Sequence, residues 1–285
     1  MALTINTNPM SLNSQRSLAI NTNNLAKSME RLSSGYRINR AGDDAAGFQI
    51  SENLRAQIRG SKQALNNVQD GINVLNIADG ALQAVTNNIQ RMRELSVQAA
   101  NDTYGTTERA AIKAEMDQLS NEINRISDAT EFNGVFLLNG STDGAGNFNL
   151  QVGPESAAGT NTLDIGNSAA FNDVNVTALT IDNANLVVTN TANAQATIGR
   201  IDTALTAINS QRAAIGAFVN RLESTSQNLM VSIENMSTTE SRIRNVDVAS
   251  ESAELVRHQI LQQASSAMLS QANQAPGLAL SLLGG

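Results

Sequence analysis

The chain has 285 residues, a net charge of −7 at neutral pH, no Cys, no Trp and only 3% aromatic residues. The acidic balance excludes a nucleic-acid binder, which needs a basic face to displace phosphate counterions; the missing thiols exclude disulfides and thiolate metal sites; and the scarcity of large rings argues against a bulky globular core. No apolar run approaches the roughly 20 residues that span a bilayer, so no membrane insertion is expected, and apolar content drawn mostly from Ala, Leu, Ile and Val suits long helices packed side by side.

Residues 1–24 are polar, rich in Asn and Thr, and lack the charged and apolar regions of a cleaved secretory signal, which predicts export by another route. Leu18, Leu25, Met29 and Leu32 then draw a narrow apolar stripe. It stops at Ser33-Ser34-Gly35, where Gly can take the left-handed helix cap. Gly42-Asp43-Asp44 restarts the helix with carboxylates at its positive end, leaving a linker between the two signals. Val68, Leu75, Leu82 and Ile89 recur every seven residues, with Ile58, Leu65 and Ile72 as a second seam. This predicts one long helix from about Asp44 to Ala100. After a break at Thr103 to Thr107, Ile112, Met116, Leu119, Ile123 and Ile126 keep the same period in a shorter helix.

Between Arg125 and Arg200 there is no Lys or Arg, and Gly, Asn, Thr and Asp crowd the segment. Val135 to Leu138, Phe148 to Val152 and Leu163 to Ile165 are short strand candidates, with turns expected at Asn139-Gly140 and Gly144-Ala145-Gly146. The strongest periodicity follows. Ile201, Ile208, Ile215, Leu222, Leu229, Met236 and Ile243 hold one heptad position through seven repeats, a seam about 65 Å long. Ile198, Leu205, Val219 and Ile233 supply much of the companion position; Arg212, Ser226 and Glu240 interrupt it, which fits a multi-helix bundle or a register device better than a plain zipper. Val248, Leu255 and Leu269 continue weakly to the C-terminus. Stripes this narrow gain little from folding alone, so the outermost residues, 1–33 and about 248–285, are expected to order only when a partner covers them. The fold class predicted is mainly α: a long antiparallel helical bundle made by the two halves, with a small β-hairpin and loop region in the middle.

Several long motifs, in order, make the chain resemble the bacterial flagellins: INTN (5–8), ERLSSGYRIN (30–39), DDAAG (43–47), VQDGINVLNIADGAL (68–82), QRMRELSVQAAN (90–101) and EFNGVFLL (131–138) in front, with 200–223 and 259–285 behind. Gly277, where the family more usually has a longer polar residue, departs from the pattern. The resemblance implies a subunit secreted through the hollow flagellum and polymerised into the filament, located outside the cell. It assigns 1–43 with 247–285 to an inner-tube domain and 44–138 with 193–246 to the heptad bundle. Residues 139–192 complete the bundle with a hairpin and loops, leaving no room for a large outer domain. As partners it implies further copies of the chain, the flagellar export apparatus, an export chaperone, and the filament cap and junction proteins. It also implies the vertebrate innate-immune flagellin receptor, whose surface would fall on Arg91, Leu95 and Glu115. From spacing alone, Arg91, Arg93 and Glu94 are simply a solvated helix face. Two rival readings are a hook-filament junction protein, which shares such ends, and an intracellular coiled-coil scaffold.

Catalytic, metal and cofactor chemistry finds little footing. His258 reads as a packing or surface residue without a Cys or acid at ligand spacing. Some flagellins carry a zinc protease, but the middle here has no histidine. Asp43 and Asp44 are better explained as helix-start carboxylates than as an acid-base pair. The glycines near Gly144 lack the Lys of a phosphate loop. Asn101-Asp102-Thr103, Asn139-Gly140-Ser141 and Asn175-Val176-Thr177 match an N-glycosylation pattern that arises mostly by chance, and exposed Ser and Thr of the middle are the better glycan candidates by family analogy.

Overall fold

The computed structural model describes residues 7–140, 148–156, 161–165 and 169–283. Five long helices carry this part of the chain: α1 Pro9–Ser34, α2 Ala45–Ala99, α3 Thr106–Ala129, α4 Thr191–Arg244 and α5 Val248–Leu283. Four of them start on an Asn or Asp. Asn8 accepts from the Ser11 N–H at 3.1 Å, Asp44 from Gly47 at 2.9 Å, Asn190 from Asn193 at 2.7 Å and Asp247 from Ala249 at 3.0 Å. Each such cap satisfies an otherwise orphaned donor and stabilises its helix by about 1 kcal/mol. Gly35, at φ +74°, ends α1 in the left-handed conformation as expected. At the far end of α2, Arg109 donates to the carbonyls of Ala99 and Asn101, so the break before α3 is held by a cation at a helix C-terminus. The helix α5 runs through Gly277 without interruption.

The small strands form two antiparallel pairs. β1 (Glu131–Phe132) faces β2 (Val135–Phe136), and β3 (Asn149–Gln151) faces β4 (Thr162–Asp164), with Leu150 opposite Leu163. The first pair adds a turn to the expected ones, ahead of Asn139-Gly140, whose Gly140 also has a positive φ of 66°. The chain reverses at Asn133-Gly134, whose φ values of 52° and 79° are both positive, the geometry of a two-residue hairpin turn. Ser141 and the expected Gly144-Ala145-Gly146 turn lie outside the described residues, as do the first residues of the INTN motif.

Two compact units make up the chain, residues 1–56 with 235–285 and residues 57–234. The second holds the hydrophobic core. Val68, Leu75, Leu82 and Ile89 of α2 are fully buried with Ile201, Ile208, Ile215 and Leu222 of α4, joined by Met116 and Ile123 of α3. Burying side chains of this size contributes roughly 1.5–3 kcal/mol apiece before chain entropy is counted. The irregular run after β4 closes the same core through Val174, Ile181 and Leu186. It is fixed by side chains of the helices: Gln211, itself buried, donates to the carbonyls of Ala170 and Asn172 at 3.1 Å, and Asn124 accepts from the Val176 N–H at 3.0 Å. Arg212 pairs with Asp79 at 2.8 Å and Arg93 with Asp202 at 2.7 Å. Numbers rise along α2 as they fall along α4, so these two helices are antiparallel. Arg212, one of the three residues that interrupt the companion heptad seam, thus helps to pin the register across it.

Candidate assembly surface

In the unit formed by 1–56 and 235–285, α1 and α5 lie antiparallel. Polar contacts run along the pairing. Asn8 donates to the Ala272 carbonyl at 2.7 Å, Ser11 to Asn273 at 2.8 Å and Asn21 to Ser265 at 2.8 Å, while Gln262 donates to Thr22 at 3.3 Å and Arg31 meets Glu251 at 3.5 Å. The buried residues of α1 are Ser11 and Ser28, and Ala272 is buried on α5. Small and polar groups therefore occupy part of the seam, in line with the half-buried Leu18, Leu25 and Leu32 that follow Ser11 at sevens, while other large apolar side chains are left outside it.

The predicted terminal stripe divides accordingly. Leu18, Leu25, Leu32, Leu255 and Leu269 are half-buried, whereas Met29 and Val248 are 53% and 60% exposed. Residues the stripe reading missed are as open: Met10, Leu12 and Ile20 on α1, and Val256, Ile260 and Met268 on α5. Spacing by sevens does not find them, because they widen the apolar surface around the helix rather than extending one line along it. Large apolar side chains left open in this number on one helix pair make it the candidate place for another molecule to bind.

The loops at the base of this pair are tied to each other. The Arg37 N–H donates to the Arg244 carbonyl at 2.6 Å, the Val246 N–H to the Gly35 carbonyl at 3.0 Å, and Tyr36 bridges Asn245. The buried Arg244 guanidinium lies 4.7 Å from the Tyr36 ring centroid and 5.9 Å from that of Phe48, and meets Glu52 at 2.5 Å. Arg244, then Arg55, holds the Glu52 carboxyl below its ordinary range. Asp43 is the anchor of the α1 to α2 linker: it accepts from the N–H groups of Asn39 and Arg40 and pairs with Lys27 at 2.8 Å. The Lys27 contact is the largest of the influences that bring its pKa down to about 2. Asp43 and Asp44 are thus occupied by loop and helix-start bonds. His258 has an acid neighbour after all: Glu254, one turn back, lies 3.6 Å from its Nε2, which corrects the reading of a histidine without one.

In the second unit, the residues grouped by resemblance as a receptor surface have unlike positions. Arg91 and Glu115 are about half exposed and joined at 2.9 Å, with Glu94 on the same guanidinium. Leu95 is 2% exposed and belongs to the core. The long α4 seam also changes along its length. Ile201 to Leu222 are buried, while Leu229, Met236 and Ile243 are only half-buried. Among the described residues, no three His, Cys, Asp or Glu side chains come together as a metal site, and no helix is long and apolar enough to cross a membrane.

Fold and surface together define a helical subunit whose paired ends leave large apolar side chains open to solvent, a class suited to associate with copies. The family model for the bacterial flagellin N-terminal helical region matches residues 5–143, and that for the C-terminal helical region matches residues 198–283. The chain is 47% identical to a flagellin of Halalkalibacterium halodurans, with 98% of this chain and 99% of that protein covered. It is 43% identical to a flagellin of Bacillus subtilis and 42% identical to a flagellar filament 33 kDa core protein of Treponema phagedenis, at the same coverage. The chain belongs to the bacterial flagellins. It is a structural subunit of the flagellar filament, which polymerises with copies of itself and serves motility.

Proposed function

We propose that α1 and α5 are the polymerising element, joining copies through the large apolar side chains their pairing leaves exposed. The observation that carries this reading is the exposure of Met10, Ile20, Met29, Val256, Ile260 and Met268, while Ser11 and Ser28 are buried and the leucines of the stripe are only half-buried. A two-helix pair held by a few polar contacts has little to offset its ordering entropy. Covering the outer faces by neighbouring copies supplies the missing burial, so the ends fold firmly as the filament forms. In this reading 1–43 with 247–285 line the inner tube, and 44–138 with 193–246, completed by 139–192, surround it. Before assembly the same faces need a cover, the role the family gives an export chaperone on the way to the export apparatus. Arg91 and Glu115 are the side chains a receptor would touch directly, with Leu95 supporting them from the core.

Deleting residues 1–33 tests the assignment. The shortened protein is expected to keep its helical circular dichroism and a cooperative unfolding transition, yet to add nothing to filament seeds that full-length protein elongates. Elongation at the full-length rate would place the assembly surface elsewhere.

A further inference from the structure

Eight methionines are spread along the chain, and the fold sorts them sharply. Met92 and Met116 are wholly buried in the core, whereas Met10, Met29 and Met268 stand 54%, 53% and 60% exposed on α1 and α5. Met10 and Met268 line one groove between the two helices, beside Asn13, Ser14 and Gln271. A thioether in such a position is soft, apolar and open to small oxidants.

We propose that Met10 and Met268 in their shared groove, with Met29 farther along α1, are reversible oxidation points through which peroxide-class oxidants block incorporation of free subunits. This rests on the reading of α1 and α5 as the polymerising element. In the step itself the sulfur lone pair attacks one peroxide oxygen: the S–O bond forms as the O–O bond breaks, the thioether is oxidised to the sulfoxide, and the peroxide is reduced to water or alcohol. Sulfoxide is strongly polar and branched at sulfur, so a face that must lie against another copy becomes one that retains its water. Once a subunit is in the filament, the neighbours that cover these faces also keep oxidants away. The chemistry therefore acts on unassembled chains, and enzymes that reduce methionine sulfoxide reverse it.

The test treats full-length monomer with hydrogen peroxide, maps each methionine by peptide mass spectrometry, and follows elongation of filament seeds by light scattering. Met10, Met29 and Met268 are expected to gain oxygen while Met92 and Met116 do not. Elongation should be lost in step with those three and restored by methionine sulfoxide reductases. The Met10→Leu/Met29→Leu/Met268→Leu variant keeps the apolar surface and should elongate after the same treatment, even with Met230, 49% exposed on α4, oxidised. Should the variant misfold, reductase rescue of wild type carries the test alone. Undiminished elongation by protein oxidised at all three sites overturns the proposal, as does equal inhibition of the folded variant. Unoxidised protein that never elongates seeds counts instead against the assembly reading, and the peptide map still decides whether these thioethers are the reactive ones.

Discussion

Asp43 shows how one carboxylate can organise a loop. Its ordinary pKa of 3.8 falls to about 2, first through Lys27, then through the backbone N–H groups of Arg40 and Asn39. A group depressed in the folded state contributes stability that is fully present above 3.8 and lost as pH falls through about 2. A carboxyl carbon NMR titration should find the Asp43 midpoint near 2, and Asp43→Asn should remove the part of the acid sensitivity that falls between these values. A midpoint at the ordinary value would mean that the Lys27 contact is absent in solution. The Arg212 and Asp79 side chains remain 28% and 40% exposed. Their coupling in a double-mutant cycle should therefore be modest, roughly 0.5–1 kcal/mol in urea unfolding. The value of that pair lies in register, since each residue meets the other only when α2 and α4 are aligned as they are here.

Along α4 the same heptad position has two fates. From Ile201 to Leu222 it is covered by α2, α3 and the irregular middle; from Leu229 to Ile243 it is half open. Leu222→Ala should cost about 2–5 kcal/mol in chemical denaturation, while Met236→Ala, with less packing to lose, should cost clearly less. The helices could be read from the sequence because period and caps agree over many turns. The cover could not. Val174, Val176, Ile181 and Leu186 follow no period, and their burial depends on anchors such as Gln211 and Asn124 that sit far away in sequence. The β1 to β2 turn hid inside EFNGVFLL because a strand of two residues gives no alternation to detect. The polar contacts between α1 and α5 escaped for the opposite reason: Ser11, Asn21 and Ser28 carry no apolar period that would mark them, and they sit among the half-buried Leu18, Leu25 and Leu32 of the stripe expected to wait for neighbouring copies. At the base of that pair, Arg244→Ala removes a cation held by two rings and Glu52. Amide exchange at Arg37 and Val246, which bond across the two loops, is expected to quicken well before that of α4 itself.

Association is where the molecule's exposed surface and its weakly held ends find a common explanation. The unit containing residues 57–234 has a closed core of its own, though Ile77, Val97, Met230 and Val231 stay exposed on it. The terminal pair adds no residue to that core and leaves large apolar side chains open among its polar ones, and both deficits shrink if copies pack on one another. The subunit's membership of the flagellins says that it polymerises; which faces meet is the claim made here. The most direct measurement is electron cryomicroscopy of filaments grown from the purified chain alone. The account predicts α1 and α5 of every copy ordered along their lengths, with Met10, Ile20, Met29, Val256, Ile260 and Met268 buried against neighbouring copies. A well-ordered filament in which those side chains face solvent would contradict it.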